Sequence, residues 1–121
     1  MPTLTDLPER YIALWNERDE DRRSRLVSEL WADDARYCDP LVVADGHAEI
    51  AATIGAVQAQ FPELGFRLSG PADAHHNQVR FAWELGPAGA AAPIAGFDVA
   101  VVGEDGRIAT VLGFLDRVPA A

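Results

Sequence analysis

The spacing of apolar residues changes partway along the chain. Up to Phe61 they recur every three to four residues, and from Phe66 onward they alternate. Leu7, Tyr11, Leu14 and Trp15 make one stripe. Thr5 or Asp6 stands where a helix cap belongs, and Pro8 falls in the first turn, where its missing N–H costs nothing. The stripe stops at Asn16, and 17–25 is almost wholly charged or polar, which reads as a solvated corner. Leu26, Val27, Leu30 and Trp31 resume the helical spacing as a short second helix, broken at Asp33-Asp34, and 35–39 reads as a short strand closed by Pro40. Gly46 opens a third helix whose buried face is Ile50, Ile54, Val57 and Phe61, and Pro62 ends it by disfavouring helix in the residue before it. The alternating part predicts strands at 66–70, 78–85, 94–102 and 108–116. Turn chemistry separates them at 73–77, in the Gly/Ala/Pro-rich 86–93 and at Glu104-Asp105-Gly106, a hairpin signal. Helices followed by strands point to an α+β fold, three helices packed on one face of an antiparallel sheet.

The strand at 94–102 is apolar on both sides. Ile94, Gly96, Ala100 and Val102 share one face, Phe97, Val99 and Val101 share the other, and Asp98 is its single charge. Three helices cover one face of a sheet, so the other needs a second cover. A loop over a central strand would supply it, and so would a second copy packed sheet against sheet. A homodimer is expected.

Length and composition narrow the class. With 121 residues the chain is one domain, 1–121, with its core at about 7–116, and 49% hydrophobic against 24% charged residues is globular composition. Nineteen acids against ten bases leave a net charge of −9, which repels polyphosphates and anionic lipid. Nucleic acid and membrane are therefore not expected partners. A lone cysteine, Cys38, allows no intrachain disulfide and suits a reducing compartment. The first residues lack the basic-then-apolar pattern of a signal peptide, and no apolar run approaches the roughly 20 residues of a membrane span. A soluble, cytoplasmic domain is expected.

The chemistry on offer is carboxylate chemistry. The sequence holds no nucleophile elbow, no Gly-rich phosphate loop and no Cys pair for zinc. His47 opens the third helix at the surface, and His75-His76 falls in a turn, so no metal site is expected. Asp33 and Asp34 read as solvated turn residues. Two readings fit Asp39. Alternation puts it on the face of Tyr37, where lost hydration raises its pKa and suits a general base; equally, it can cap the Pro40 turn. Two also fit Asp98: a buried carboxyl kept neutral so that it donates a hydrogen bond, or an edge residue facing water. Tyr11 lies in an apolar stripe, which serves a core as well as a site. Trp15, Tyr37, Phe81, Trp83 and Phe114, with Phe97, suit the walls of a ligand pocket and the core alike.

Three segments together resemble the nuclear transport factor 2-like superfamily, and within it the SnoaL-like branch of polyketide cyclases and ketosteroid isomerase relatives. They are Tyr11-Ile-Ala-Leu-Trp-Asn16, Trp31-Ala-Asp-Asp-Ala-Arg-Tyr-Cys-Asp-Pro40, and Asp98 through Gly106-Arg-Ile to Gly113-Phe-Leu-Asp116. Phe61-Pro62 and Phe81-Ala-Trp83 also fit. The resemblance implies a cone-shaped α+β barrel, commonly homodimeric, with a pocket for one apolar small molecule and no cofactor. It implies that Asp39, in its Asp-Pro dipeptide, shuttles a proton. It also implies that Tyr11 and a protonated Asp98 hold the oxyanion, as a tyrosine and a neutral aspartic acid do in ketosteroid isomerases. On that assignment Asp98 stays protonated through neutrality. Counting back from Gly106-Arg107 selects Asp98, whereas counting forward from Pro93 selects Ala95. The implied reaction is isomerisation or aldol cyclisation of an apolar carbonyl compound. A non-catalytic apolar-ligand binder is the alternative, as is epoxide hydrolysis, which would need Arg80 to face inward.

Overall fold

The computed structural model describes residues 4–119. Its helices are α1 (Leu7–Trp15), α2 (Glu20–Leu30) and α3 (Gly46–Gln60). The supposed solvated corner at 17–25 is largely helix. Asp19 accepts a hydrogen bond from the Arg22 amide at 2.9 Å and caps α2, whose charged residues occupy its outer face while Val27 and Leu30 are buried. Capping and a good helix-forming composition outweigh the missing apolar stripe. Asp6, in contrast, makes no side-chain capping bond to α1.

The seven strands are β1 (Trp31–Cys38), β2 (Val43–Asp45), β3 (Gly65–Leu68), β4 (Asp73–His75), β5 (Gln78–Gly86), β6 (Ile94–Val102) and β7 (Ile108–Arg117). They form one curved, unclosed sheet in the order β2-β1-β7-β6-β5-β3, with β4 also paired to β5. The sheet is mixed rather than wholly antiparallel, since β7, arriving through two hairpins from β5, runs parallel to β1. Trp31, expected in a helix, opens β1, and the register against β7 shifts between Trp31 and Arg36. Asp33 and Asp34 are exposed on that irregular stretch, where Arg107 donates to the Trp31 carbonyl and pairs with Asp33 at 3.4 Å. The short strands β2 and β4, three residues each, carry too little pattern to be read from sequence.

Two polar clamps seat the helices over the concave face. The buried Gln58 of α3 donates to the carbonyls of Trp15 and Glu17, both at 2.8 Å, and accepts from Arg23 at 2.8 Å. At the end of α1, Asn16 exchanges two hydrogen bonds with the Phe66 backbone, at 2.8 and 2.9 Å. The Gln58 bonds satisfy carbonyls that a helix end leaves open, and the Asn16 bonds hold α1 against β3. Below α1 lies the core, with Trp31, Tyr11, Phe81, Ile54 and Ile108 among its fully buried side chains.

Candidate functional site

Alternation along β6 buries Ile94, Gly96, Asp98 and Ala100 and leaves the residues between them half-buried on the outer face. Asp98 is therefore directed inward and is only 3% exposed. Its Oδ2 accepts from the Tyr11 hydroxyl at 2.7 Å, and its Oδ1 accepts from the Trp83 indole N–H at 3.2 Å. Trp83 is seated by Gly96, where a Cβ would stand 2.8 Å from the indole and 2.2 Å from the Phe114 carbonyl oxygen. Any side chain at 96 would displace the donor.

A second carboxylate–tyrosine pair faces the same space. The Tyr37 hydroxyl donates to Asp39 Oδ2 at 2.6 Å, while Asp39 Oδ1 accepts from the Leu41 and Val42 amides at 2.8 and 3.0 Å. Asp39 thus caps the Pro40 turn and at the same time borders the pocket. Gly113 of β7 separates the two pairs. A Cβ at 113 would meet Asp98 Oδ1 at 2.9 Å and Asp39 Cβ at 3.2 Å, so the absence of a side chain there is what lets the carboxylates share one chamber.

The chamber is a cavity of about 590 Å³ between α1, α3 and the sheet. Tyr11, Trp15, Tyr37, Phe66 and Trp83 are among its walls, and the exposed Leu41 and Val118 are at its edge. Burial raises the Asp98 pKa to about 6, against the pull of the Tyr11 and Trp83 hydrogen bonds and with some added push from the Asp39 charge. Burial likewise lifts the Tyr11 and Tyr37 hydroxyls well above the usual phenol range, with the Asp98 charge as the next cause for each. A carboxylate that titrates near neutrality in an apolar cleft, with hydroxyls at hand, can take up and release protons in the physiological range.

The model of the SnoaL-like domain matches residues 9–111. The chain belongs to the SnoaL-like family. It is similar to the crystal structure of an isomerase candidate of that family from Agrobacterium tumefaciens, at 40% identity over 95% of this chain and 99% of that one, with a TM-score of 0.89. A SnoaL-like protein of unknown function from Burkholderia thailandensis shares the fold at 16% identity, covering 95% and 97% of the two chains, TM-score 0.74. A polyketide cyclase candidate from Sinorhizobium meliloti does so at 17% identity, covering 93% and 94%, TM-score 0.68. No curated protein matches the sequence.

The sequence-named residues Tyr11, Asp39, Asp98, Trp15, Tyr37 and Trp83 border the cavity, and Phe114 touches only its edge, its half-exposed ring stacked on Phe97 of the outer face. Phe81 does not border the cavity. It shares the inward face of β5 with Trp83, but it is buried in the core with the Tyr11 ring edge-on to it at 5.1 Å. Burial lifts the Asp98 pKa to about 6, so the carboxyl titrates close to neutrality, with the Tyr11 hydroxyl and the Trp83 N–H both directed at it. Arg80 is exposed on the outer face beside Asp73, away from the cavity. His75 and His76 are exposed, and His47 bonds the Trp31 carbonyl at 2.9 Å. Among the described residues no three His, Cys, Asp or Glu side chains come together in a way that could hold a metal ion. Sequence reasoning missed Gly113, whose role appears only once β7 lies between β1 and β6, and it missed the part of the Trp83 N–H.

The raised Asp98 pKa has a sign that stability measurements can check. A carboxyl that holds its proton more tightly in the native state favours folding below its unfolded pKa, near 3.8, and loses that contribution as pH rises through about 6. Asp98→Asn has no such dependence. Urea unfolding at pH 4 and pH 7 should therefore show the wild type losing on the order of 3 kcal/mol relative to Asp98→Asn over that interval. A constant difference would mean that Asp98 is no more burdened in the fold than in the unfolded chain.

Proposed function

We propose that this SnoaL-like domain is a cofactor-free enzyme that moves a proton on an apolar carbonyl compound, as an isomerase or an aldol-type cyclase does. The Tyr11–Asp98–Trp83 network on the floor of an apolar cavity carries the reading. The isomerase and cyclase candidates among its structural neighbours are consistent with it. Asp98, ionised in most molecules at pH 7, takes the proton next to the carbonyl. The electron pair of that C–H bond moves into the carbonyl and gives an enolate. Once protonated, Asp98 no longer needs the Tyr11 hydrogen, which turns to the enolate oxygen. Such a donor in a dry site is worth several kcal/mol in the transition state. Return of the proton from Asp98 to another carbon completes an isomerisation; attack of the enolate carbon on an internal carbonyl, with the proton on Asp98 passing to the alkoxide so formed, completes a cyclisation. No lysine occurs in the chain, so no side-chain imine takes part.

A second assignment exchanges the two carboxylates. Asp39 is half-buried at the wall and its Oδ2 carries a single donor, so it too can receive a proton, with Tyr11 and a protonated Asp98 at the oxygen. Deuterium uptake separates the two. In D2O, a panel of bicyclic ketones such as 2-tetralone should lose α-protons faster with the protein than without it. Asp98→Asn should reduce the catalysed rate by at least about 100-fold, the scale of general-base catalysis, and Asp39→Asn by less than about tenfold. The reverse ranking selects Asp39 as base. Binding with no catalysed exchange by the wild type leaves a non-catalytic carrier of apolar ligands.

The outer sheet face supports a homodimer. Phe97 and Phe114 stack there at 4.9 Å, and Phe114 and Leu112 are 50% and 44% exposed. A second copy packed on this face would cover them, and the unpaired Cys38 suits the reducing cytoplasm, where we place the protein. Among the described residues no helix is long and apolar enough to cross a membrane. Sedimentation at micromolar concentration should give about twice the 13.1 kDa chain mass, and Phe114→Glu should halve it. A wild type that sediments as a single chain would exclude the dimer.

A further inference from the structure

The cavity has more negative charge than its walls can answer. Asp98 and Asp39 flank Gly113, and none of the cavity's described lining residues is Arg, Lys or His. Nearby cations are engaged elsewhere: Arg36 with Asp45 at 2.8 Å, and Arg117 with the Ala92 carbonyl and Glu84. The hydrogen-bond donors beside the two carboxylates are also committed, and of the indoles in the wall only Trp15 keeps an N–H without a hydrogen-bond partner. The Tyr11 hydroxyl and Trp83 N–H serve Asp98, and the Tyr37 hydroxyl and two amides serve Asp39. A carboxylate or phosphate entering here would meet two like charges and no free cation. Beside the carboxylates stands an arc of rings, Tyr37, Trp15, Phe66 and Trp83, with successive centroids 5.5, 5.4 and 5.4 Å apart. Aromatic faces combined with carboxylates are the surroundings that hold an alkylammonium.

We infer that the cavity sorts ligands by charge: it binds an apolar compound bearing a protonated amine more tightly than the matching uncharged compound, and it rejects the matching carboxylate. The inference rests on the cavity's being the ligand site. It narrows the substrate to a carbonyl compound that is uncharged or carries a basic nitrogen, and it makes apolar amines competitive ligands that pair with Asp98. The gap is set by Coulomb interaction in a poorly hydrated space, where one charge pair changes affinity by an order of magnitude or more.

Three probes of one shape test it: 2-naphthylmethylamine, 2-naphthylmethanol and 2-naphthoate, titrated at pH 7.5 by calorimetry. The Trp15 and Trp83 indole resonances report whether each enters the cavity. The expected order is amine, alcohol, carboxylate, with about 100-fold between the first and last. Asp39→Asn and Asp98→Asn, both checked for folding by the same spectra, should each narrow that span about tenfold. A carboxylate that binds as tightly as the alcohol, an amine that binds more weakly than the alcohol, or a span unchanged in both variants overturns charge sorting and leaves the ligand site standing. If none of the three shifts either indole resonance, both charge sorting and the ligand-site reading fail.

Discussion

The hydrogen bond from Tyr11 to Asp98 joins α1 to β6 across 87 residues of sequence, and the site's geometry follows from keeping that carboxylate out of water. Burial pushes Asp98 toward its neutral form, while Tyr11 and Trp83 pull it back toward the anion. The balance leaves the group titrating near neutrality, where a small change in its surroundings changes its protonation. Each donor is fixed by something larger: Tyr11 by the clamps of Gln58 and Asn16 on the end of α1, Trp83 by the gap at Gly96. Loosening either would cost the carboxyl a partner it cannot replace from solvent.

The SnoaL-like scaffold explains how such a group can exist in a chain of this size. A sheet that curves without closing has an inner face too large for three short helices to fill, and the remainder is a chamber walled by rings. Hydrophobic burial around the chamber offsets the cost of holding two carboxylates in it. The scaffold sets neither substrate nor reaction; those depend on side chains that a few substitutions could alter. The proton transfer we propose therefore depends on Asp98, Tyr11 and Asp39 and not on the fold alone.

Much of this is legible in the sequence, for reasons that differ from residue to residue. Period-two alternation places Asp98 beside Ile94 and Ala100, and the same rule puts Tyr37 and Asp39 on one side. The helix α2 is obscured because a helix that buries only Val27 and Leu30 leaves almost no stripe. The spacing of Trp31 from Val27 is helical, whereas pairing with β7 draws it into a strand. The parallel β1–β7 pair has no local signature at all, since its partners, such as Trp31 and Ile108, lie far apart in sequence. Gly113 is unreadable for the same reason, and the protonation of Asp98 depends on two donors, Tyr11 and Trp83, whose aim only the folded chain reveals.

If Asp98 is a buried base poised near neutrality, its own titration shows it most directly. With aspartate labelled at the side-chain carboxyl carbon, the Asp98 resonance, assigned by its loss in Asp98→Asn, should shift with a midpoint of about 6. In Tyr11→Phe the midpoint should move higher, because the anion has lost a donor. A midpoint at the ordinary carboxylate value of about 4, or a carboxyl still protonated beyond about pH 8, would contradict the account: the first by showing a solvated group, the second by making Asp98 a neutral donor that cannot accept the substrate's proton.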